Sequence, residues 1–137
     1  MENVFFQFDE NEVNMMSPLA LAYIGDAVYE LYIRAHVMKK GNMPVNKLHR
    51  ASTHFVSANA QSDIMHTLED RLSEEELRIF KRGRNAHSYT SAKNADIVDY
   101  RRATGFEALI GYIFLKKDYK RLDELIDIAV SVRSQSE

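Results

Sequence analysis

Two acidic residues sit where their neighbours offer little solvent. Asp26 lies inside PLALAYIGDAVYELYIRAHV, residues 18–37, among Tyr23, Ile24, Ala27, Val28 and Leu31, with Gly25 directly before it. Glu107 lies inside FEALIGYIFL between Phe106 and Ala108, with Gly105 two residues before it and Gly111 one turn after. A glycine inside a helix costs on the order of 1 kcal/mol relative to alanine. Helices that carry glycines beside their acids can approach closely and bring Asp26 and Glu107 together. Paired carboxylates in an apolar setting repel unless a cation lies between them, and hard oxygen ligands select Mg²⁺ or Mn²⁺. The plainer alternative stays open on spacing alone: each acid pairs with an arginine or caps a nearby backbone.

A second constellation is cationic. Between residues 78 and 102 stand Arg78, Lys81, Arg82, Arg84, Lys93, Arg101 and Arg102 against Asp96 and Asp99, a local +5 in a chain of net charge −2. Asn85, His87, Ser88, Tyr89, Ser91 and Asn94 interleave hydrogen-bonding groups. Such a mixture of Arg, Lys and small polar side chains contacts phosphates. A solvated helix end with ordinary surface charge gives the same pattern, since arginines also favour helix C-termini. Tyr89 is the one Phe, Tyr or Trp in the polar stretch, which argues against a stacking platform for single strands.

Other chemistries find no support. The five histidines show no pair at metal-ligand helical spacing, and no serine has a recognisable base partner. Glu30 stands one turn after Asp26, but Arg34 a further turn on offers it a simple ion pair. No cysteine occurs, which excludes disulfides, thiolate metal sites and cysteine nucleophiles. The acidic start MENVFFQFDENEV lacks the order of a secretory signal, and no uncharged apolar run approaches the roughly 20 residues that cross a bilayer. A soluble, cytoplasmic protein with no membrane partner is expected.

The elements that must position these residues read as helices. Ser17-Pro18 opens a long one that runs to Lys39-Lys40-Gly41. Pro44 and Asn46 open a second through about Phe55, and Ser57 caps a third from Ala58 to about Leu72. Ser73 with Glu76 matches a capping box and begins a fourth, ending near Gly83. The polar, aperiodic residues 84–94 read as a loop, and a fifth long helix spans about Ala95 to Lys117. Leu122, Leu125, Ile126 and Ala129 fall at helical intervals in a last helix. With 137 residues, 45% hydrophobic and 28% charged, and with no repeat or linker, the chain reads as a single all-α domain over 1–137.

YIGDAVYEL at 23–31 and FEALIGYIFL at 106–115 resemble the two signature helices of ribonuclease III endonuclease domains, and KLHRASTHFVSANAQSDI at 47–64 resembles the helices between them. The likeness covers about residues 17–130. It leaves no residues for the double-stranded-RNA-binding domain that usually follows, and with RGRNAHS at 82–88 it points to the short bacterial branch, Mini-ribonuclease III.

The resemblance implies a helical endonuclease fold of about six to seven helices in a two-fold homodimer. It makes Asp26 and Glu107 catalytic metal ligands for Mg²⁺, with Mn²⁺ as a substitute. It also implies hydrolysis of double-stranded RNA to 5′-phosphate and 3′-hydroxyl ends. The expected substrate is the 23S ribosomal RNA precursor, on a ribosomal particle. Arg82, Arg84, Asn85, His87, Ser88, Lys93, Arg101 and Arg102 are the expected RNA contacts. Two acids usual in the family are absent, with Ala22 one turn before Asp26 and Thr104 three residues before Glu107. Fewer carboxylates leave more water on a cation, which suits Mg²⁺. The rival expectation is a catalytically degenerate scaffold of the same fold that binds RNA or assists ribosome assembly.

Overall fold

In the computed structural model, residues 8–86 and 96–136 are described. Most helix starts are fixed by side chains that accept from otherwise orphaned backbone N–H groups. Helix α1, Glu10–Met15, begins in a capping box between Asp9 and Glu12 that the sequence reading passed over. Helix α2, Pro18–Lys39, starts where expected, with Ser17 accepting from the Ala20 amide and Pro18 at the first position. It stops before Gly41, whose φ of +150° lies in the region that favours glycine.

Helices α3, Val45–Val56, and α4, Ala58–Leu68, meet at Ser57, which ends one and caps the other. Instead of reaching Leu72, α4 tightens into a 3₁₀ turn over Glu69–Arg71, and Leu72 is extended. Helix α5, Glu74–Asn85, has the expected Ser73–Glu76 capping box. It continues past Gly83, so Arg84 and Asn85 are helical rather than part of a loop. The reason is packing. A Cβ on Gly83 would lie 2.8 Å from the Ala108 Cβ, so this glycine permits a helix contact rather than a stop. Helix α6, Ile97–Leu115, is capped by Asp96, and α7, Tyr119–Ser134, by Asp118. No strand occurs among the described residues.

The architecture is a helical assembly around α6, which is buried through most of its length: Phe106, Ala108, Leu109 and Ile110 are fully enclosed. Helices α2, α4 and α5 pack directly on it, and α3 and α7 close the remaining sides. Tyr29 of α2 lies edge-on to Phe106 at 4.9 Å between ring centres, and its hydroxyl donates to the Phe55 carbonyl at 2.9 Å. Arg121 of α7 clamps both carboxylate oxygens of Glu76 at 2.9 Å and the Arg71 carbonyl at 2.7 Å. Arg133 joins Asp63 at 3.0 Å. These partly buried charge-assisted bonds fix how α7 sits on α4 and α5. No helix is long and apolar enough to cross a membrane among the described residues.

Candidate active site

The site is built by the crossing of α2 and α6, and two glycines set its distance. A Cβ on Gly25 would fall 1.7 Å from the Glu107 carbonyl oxygen, and one on Gly111 would fall 2.0 Å from the Leu21 carbonyl oxygen. Both obstacles are backbone, so neither can swing aside. The two helices therefore touch main chain to main chain, and the residues beside the glycines meet.

Those residues are Asp26 and Glu107. Asp26 is exposed and Glu107 is half-buried. Burial, then the Asp26 charge, then a hydrogen bond between the two carboxyls push the Glu107 carboxyl up to about 8. Glu30 adds a smaller push in the same direction, while a hydrogen bond from Gln61 opposes it. Glu30 is itself held by Arg34 at 2.9 Å, the ion pair that the sequence spacing suggested. At neutral pH Glu107 in the cation-free chain therefore keeps its proton, because a half-buried carboxyl beside the Asp26 charge ionises only at a cost.

The donor set is oxygen, and it is sparse. No group of three or more His, Asp or Glu side chains that could hold a metal occurs among the described residues. A divalent cation touching both carboxylates would replace the proton and cancel their repulsion. Two carboxylates with open solvent on the Asp26 side fit Mg²⁺ or Mn²⁺, which retain several waters, better than metals that prefer nitrogen or sulfur.

Gln61 of α4 joins the site without having been conspicuous in the sequence. It is 2% exposed, donates through Nε2 to the Val56 carbonyl at 3.0 Å, and reaches Glu107 Oε2 at 3.5 Å. The signal was present as an amide inside the apolar run Ala60, Ile64, Met65, Leu68. Being uncharged, it did not stand out as Asp26 and Glu107 did.

The cationic residues divide into two groups. Arg78, Lys81, Arg82 and Asn85 line one face of α5, where with Pro18 and Leu77 they border an open groove of about 560 Å³. Arg101 is exposed. Arg84 lies over the Phe80 ring at 5.8 Å and donates to Asn85 Oδ1 at 3.2 Å. Arg102 is turned inward, paired with Glu69 at 2.6 Å and lying over the Phe80 ring at 5.7 Å. Its guanidinium is engaged in the fold. His87, Ser88 and Lys93 lie outside the described residues.

The ribonuclease III domain family matches residues 19–118, a span holding Asp26, Gln61 and Glu107. The chain belongs to the ribonuclease III family. It is 47% identical over 131 residues to a Mini-ribonuclease 3 of Clostridium tetani, covering 95% of this chain and 87% of that protein. It is 50% identical over 119 residues to a Mini-ribonuclease 3 of Brevibacillus brevis, covering 87% and 89%. The crystal structure of protein FN1578 from Fusobacterium nucleatum matches with a TM-score of 0.79 at 30% identity, over 88% of this chain and 96% of that one. The protein is an endoribonuclease of the ribonuclease III type.

Within this ribonuclease III fold, the two positions that lack the usual acids are quietly filled. Ala22 is buried in the core. The Thr104 hydroxyl donates to the Tyr100 carbonyl at 3.0 Å, back along its own helix. Neither side chain is offered to a cation.

Proposed function

We propose that Asp26 and Glu107 hold Mg²⁺, or Mn²⁺ in its place, and that the chain hydrolyses double-stranded RNA to 5′-phosphate and 3′-hydroxyl ends. The observation that carries this reading is the adjacency of the two carboxyls at a crossing of α2 and α6 that tolerates no side chain at Gly25 or Gly111. When bound there, the divalent cation supplies charge neutralisation at the scissile phosphate and an acidified water. Glu107 would be the inner carboxylate that holds the cation, and its partial burial would limit competing water. Asp26, on the exposed side, presents its carboxylate toward the substrate. Arg78, Lys81, Arg82 and Arg101 offer positive charge to RNA phosphates, which recognises a duplex by shape and backbone rather than by sequence.

The protein works as a two-fold homodimer in this reading, with one site per subunit. An apolar stripe on α2 supports it: Tyr23 is 83% exposed and Leu31 61%, with Leu19, Ala27 and Met38 on neighbouring turns. The substrate is the 23S ribosomal RNA precursor on a ribosomal particle, a reading supported by the similarity to Mini-ribonuclease 3 proteins, and the setting is the cytoplasm.

The test uses pure Asp26→Asn and Glu107→Gln variants on duplex RNA with and without Mg²⁺. Each should lose cleavage by a factor of about 10³ or more while retaining its helical circular dichroism and its gel shift. Near-normal cutting by either variant would refute the assignment.

A further inference from the structure

Helix α4 turns an apolar face into the core, with Ala60, Ile64, Met65 and Leu68 fully enclosed. Gln61 shares that face and is just as buried. A leucine or methionine would fill the position without burying an amide, so the glutamine is a fault in the packing unless its polar atoms are used.

Only one end of the amide is satisfied. Nε2 donates to the Val56 carbonyl at 3.0 Å and approaches Glu107 Oε2 at 3.5 Å, while Oε1 is buried with no hydrogen-bond partner. Two acceptors flank the nitrogen. The Val56 carbonyl can only accept, so exchanging nitrogen and oxygen would set oxygen against oxygen there, and this contact fixes the orientation.

We infer that Gln61 is a positioning residue for the acid pair, its amide nitrogen holding Glu107 in the orientation that faces Asp26. The inference rests on the reading of Asp26 and Glu107 as the residues that hold a cation. Groups that orient a ligating carboxylate matter to affinity because the carboxylate otherwise spends time in unproductive rotamers. The unpartnered oxygen has a complementary use. A divalent cation held by only two carboxylates would bring hydration water with it, and Gln61 Oε1, a buried acceptor without a partner, would have the capacity to accept a hydrogen bond from it. Gln61 thus compensates in part for the carboxylates that Ala22 and Thr104 do not supply.

The experiment measures Mn²⁺ binding to the RNA-free protein by the electron paramagnetic resonance signal of free Mn²⁺, alongside the melting temperature. The variants are Gln61→Leu and Gln61→Met, the second flexible enough to fill the same space if the first does not pack. The expected result is Mn²⁺ affinity at least tenfold weaker in both, in variants whose melting shows them folded at the assay temperature. Asp26→Asn and Glu107→Gln are measured beside them. If those two lose Mn²⁺ binding while the Gln61 variants bind like the parent, the Gln61 inference is overturned and the acid pair stands. If all four bind like the parent, the acid-pair reading itself has failed. If the Gln61 variants melt well below the parent yet bind Mn²⁺ equally well while folded, Gln61 is a packing residue only, and the inference is again overturned.

Discussion

Glu107 shows how one buried oxygen acid can report on its own site. Its ordinary carboxyl range lies near 4.5, and burial together with Asp26 moves it to about 8. The folded, cation-free chain therefore binds a proton that the unfolded chain releases across that interval. Stability is highest below the unfolded value, falls as pH rises through the window from about 4.5 to about 8, and levels off above it. The expected loss is of the order of a few kcal/mol, to be read by urea unfolding in chelator-treated buffer. Glu107→Gln, which cannot ionise, should flatten that dependence and be more stable than the parent at the alkaline end. Saturating Mg²⁺ should restore the parent there, because the cation binds only the folded state. A parent whose unfolding midpoint tracks that of the variant at every pH would show that Glu107 is not perturbed. Asp26 and Glu107 were legible in the sequence because a charge inside an apolar run is conspicuous. Gln61 was not, since an amide carries no charge and a polar residue among Asn59, Ser62 and Asp63 does not stand out. The fate of Arg102 was hidden as well: a row of cations does not say which one faces Glu69 and which faces solvent.

At the level of the elements, the glycines carry more of the design than their number suggests. Gly25 and Gly111 let α2 and α6 meet at backbone contact, and Gly83 lets α5 approach α6 near Gly105. The sequence showed the first pair beside its acids, so the close crossing could be anticipated from FEALIG and YIGDAV. Gly83 was misread as a helix end, because a glycine near a run of arginines looks the same whether it ends a helix or admits a neighbour. The N-terminal limits were readable from local chemistry, as at Ser17-Pro18 and Ser73–Glu76, where one side chain and one amide decide the matter. C-terminal limits depend on what the helix touches, as with Arg84 packed over Phe80 one turn back. Gly25→Ala and Gly111→Ala should each destabilise the fold by about 3 kcal/mol or more, at or beyond the usual cost of overpacking, because the new methyl meets immovable main chain. Chemical denaturation measures this directly. A Gly25→Ala chain that unfolds at the parent's midpoint would mean that the helices are free to part, and the acid pair would lose its positional basis.

For the whole molecule, charge and apolar surface are distributed to opposite ends of one problem. The chain is net negative, and Arg78, Lys81, Arg82 and Arg101, the exposed cations of α5 and the start of α6, give a single subunit only a short positive patch for RNA. Pairing two subunits through α2 would bury Tyr23 and Leu31 and double the number of cations available to one duplex. Such exposure of large apolar side chains along successive turns is costly in an isolated subunit and useful in an interface. A Tyr23→Asp, Leu31→Asp double variant separates these effects, since it alters no residue of the acid pair or the cationic face. By light scattering, the parent should run at twice the 15.8 kDa chain mass and the variant at the chain mass itself. RNA affinity in the variant should then fall less steeply with salt, with about half the parent's slope of log affinity against log salt, because each subunit neutralises its phosphates alone. A double variant that stays dimeric would move the interface off α2. One that becomes monomeric with an unchanged salt slope would show that a single subunit already makes all the phosphate contacts, and that the two patches never share a duplex.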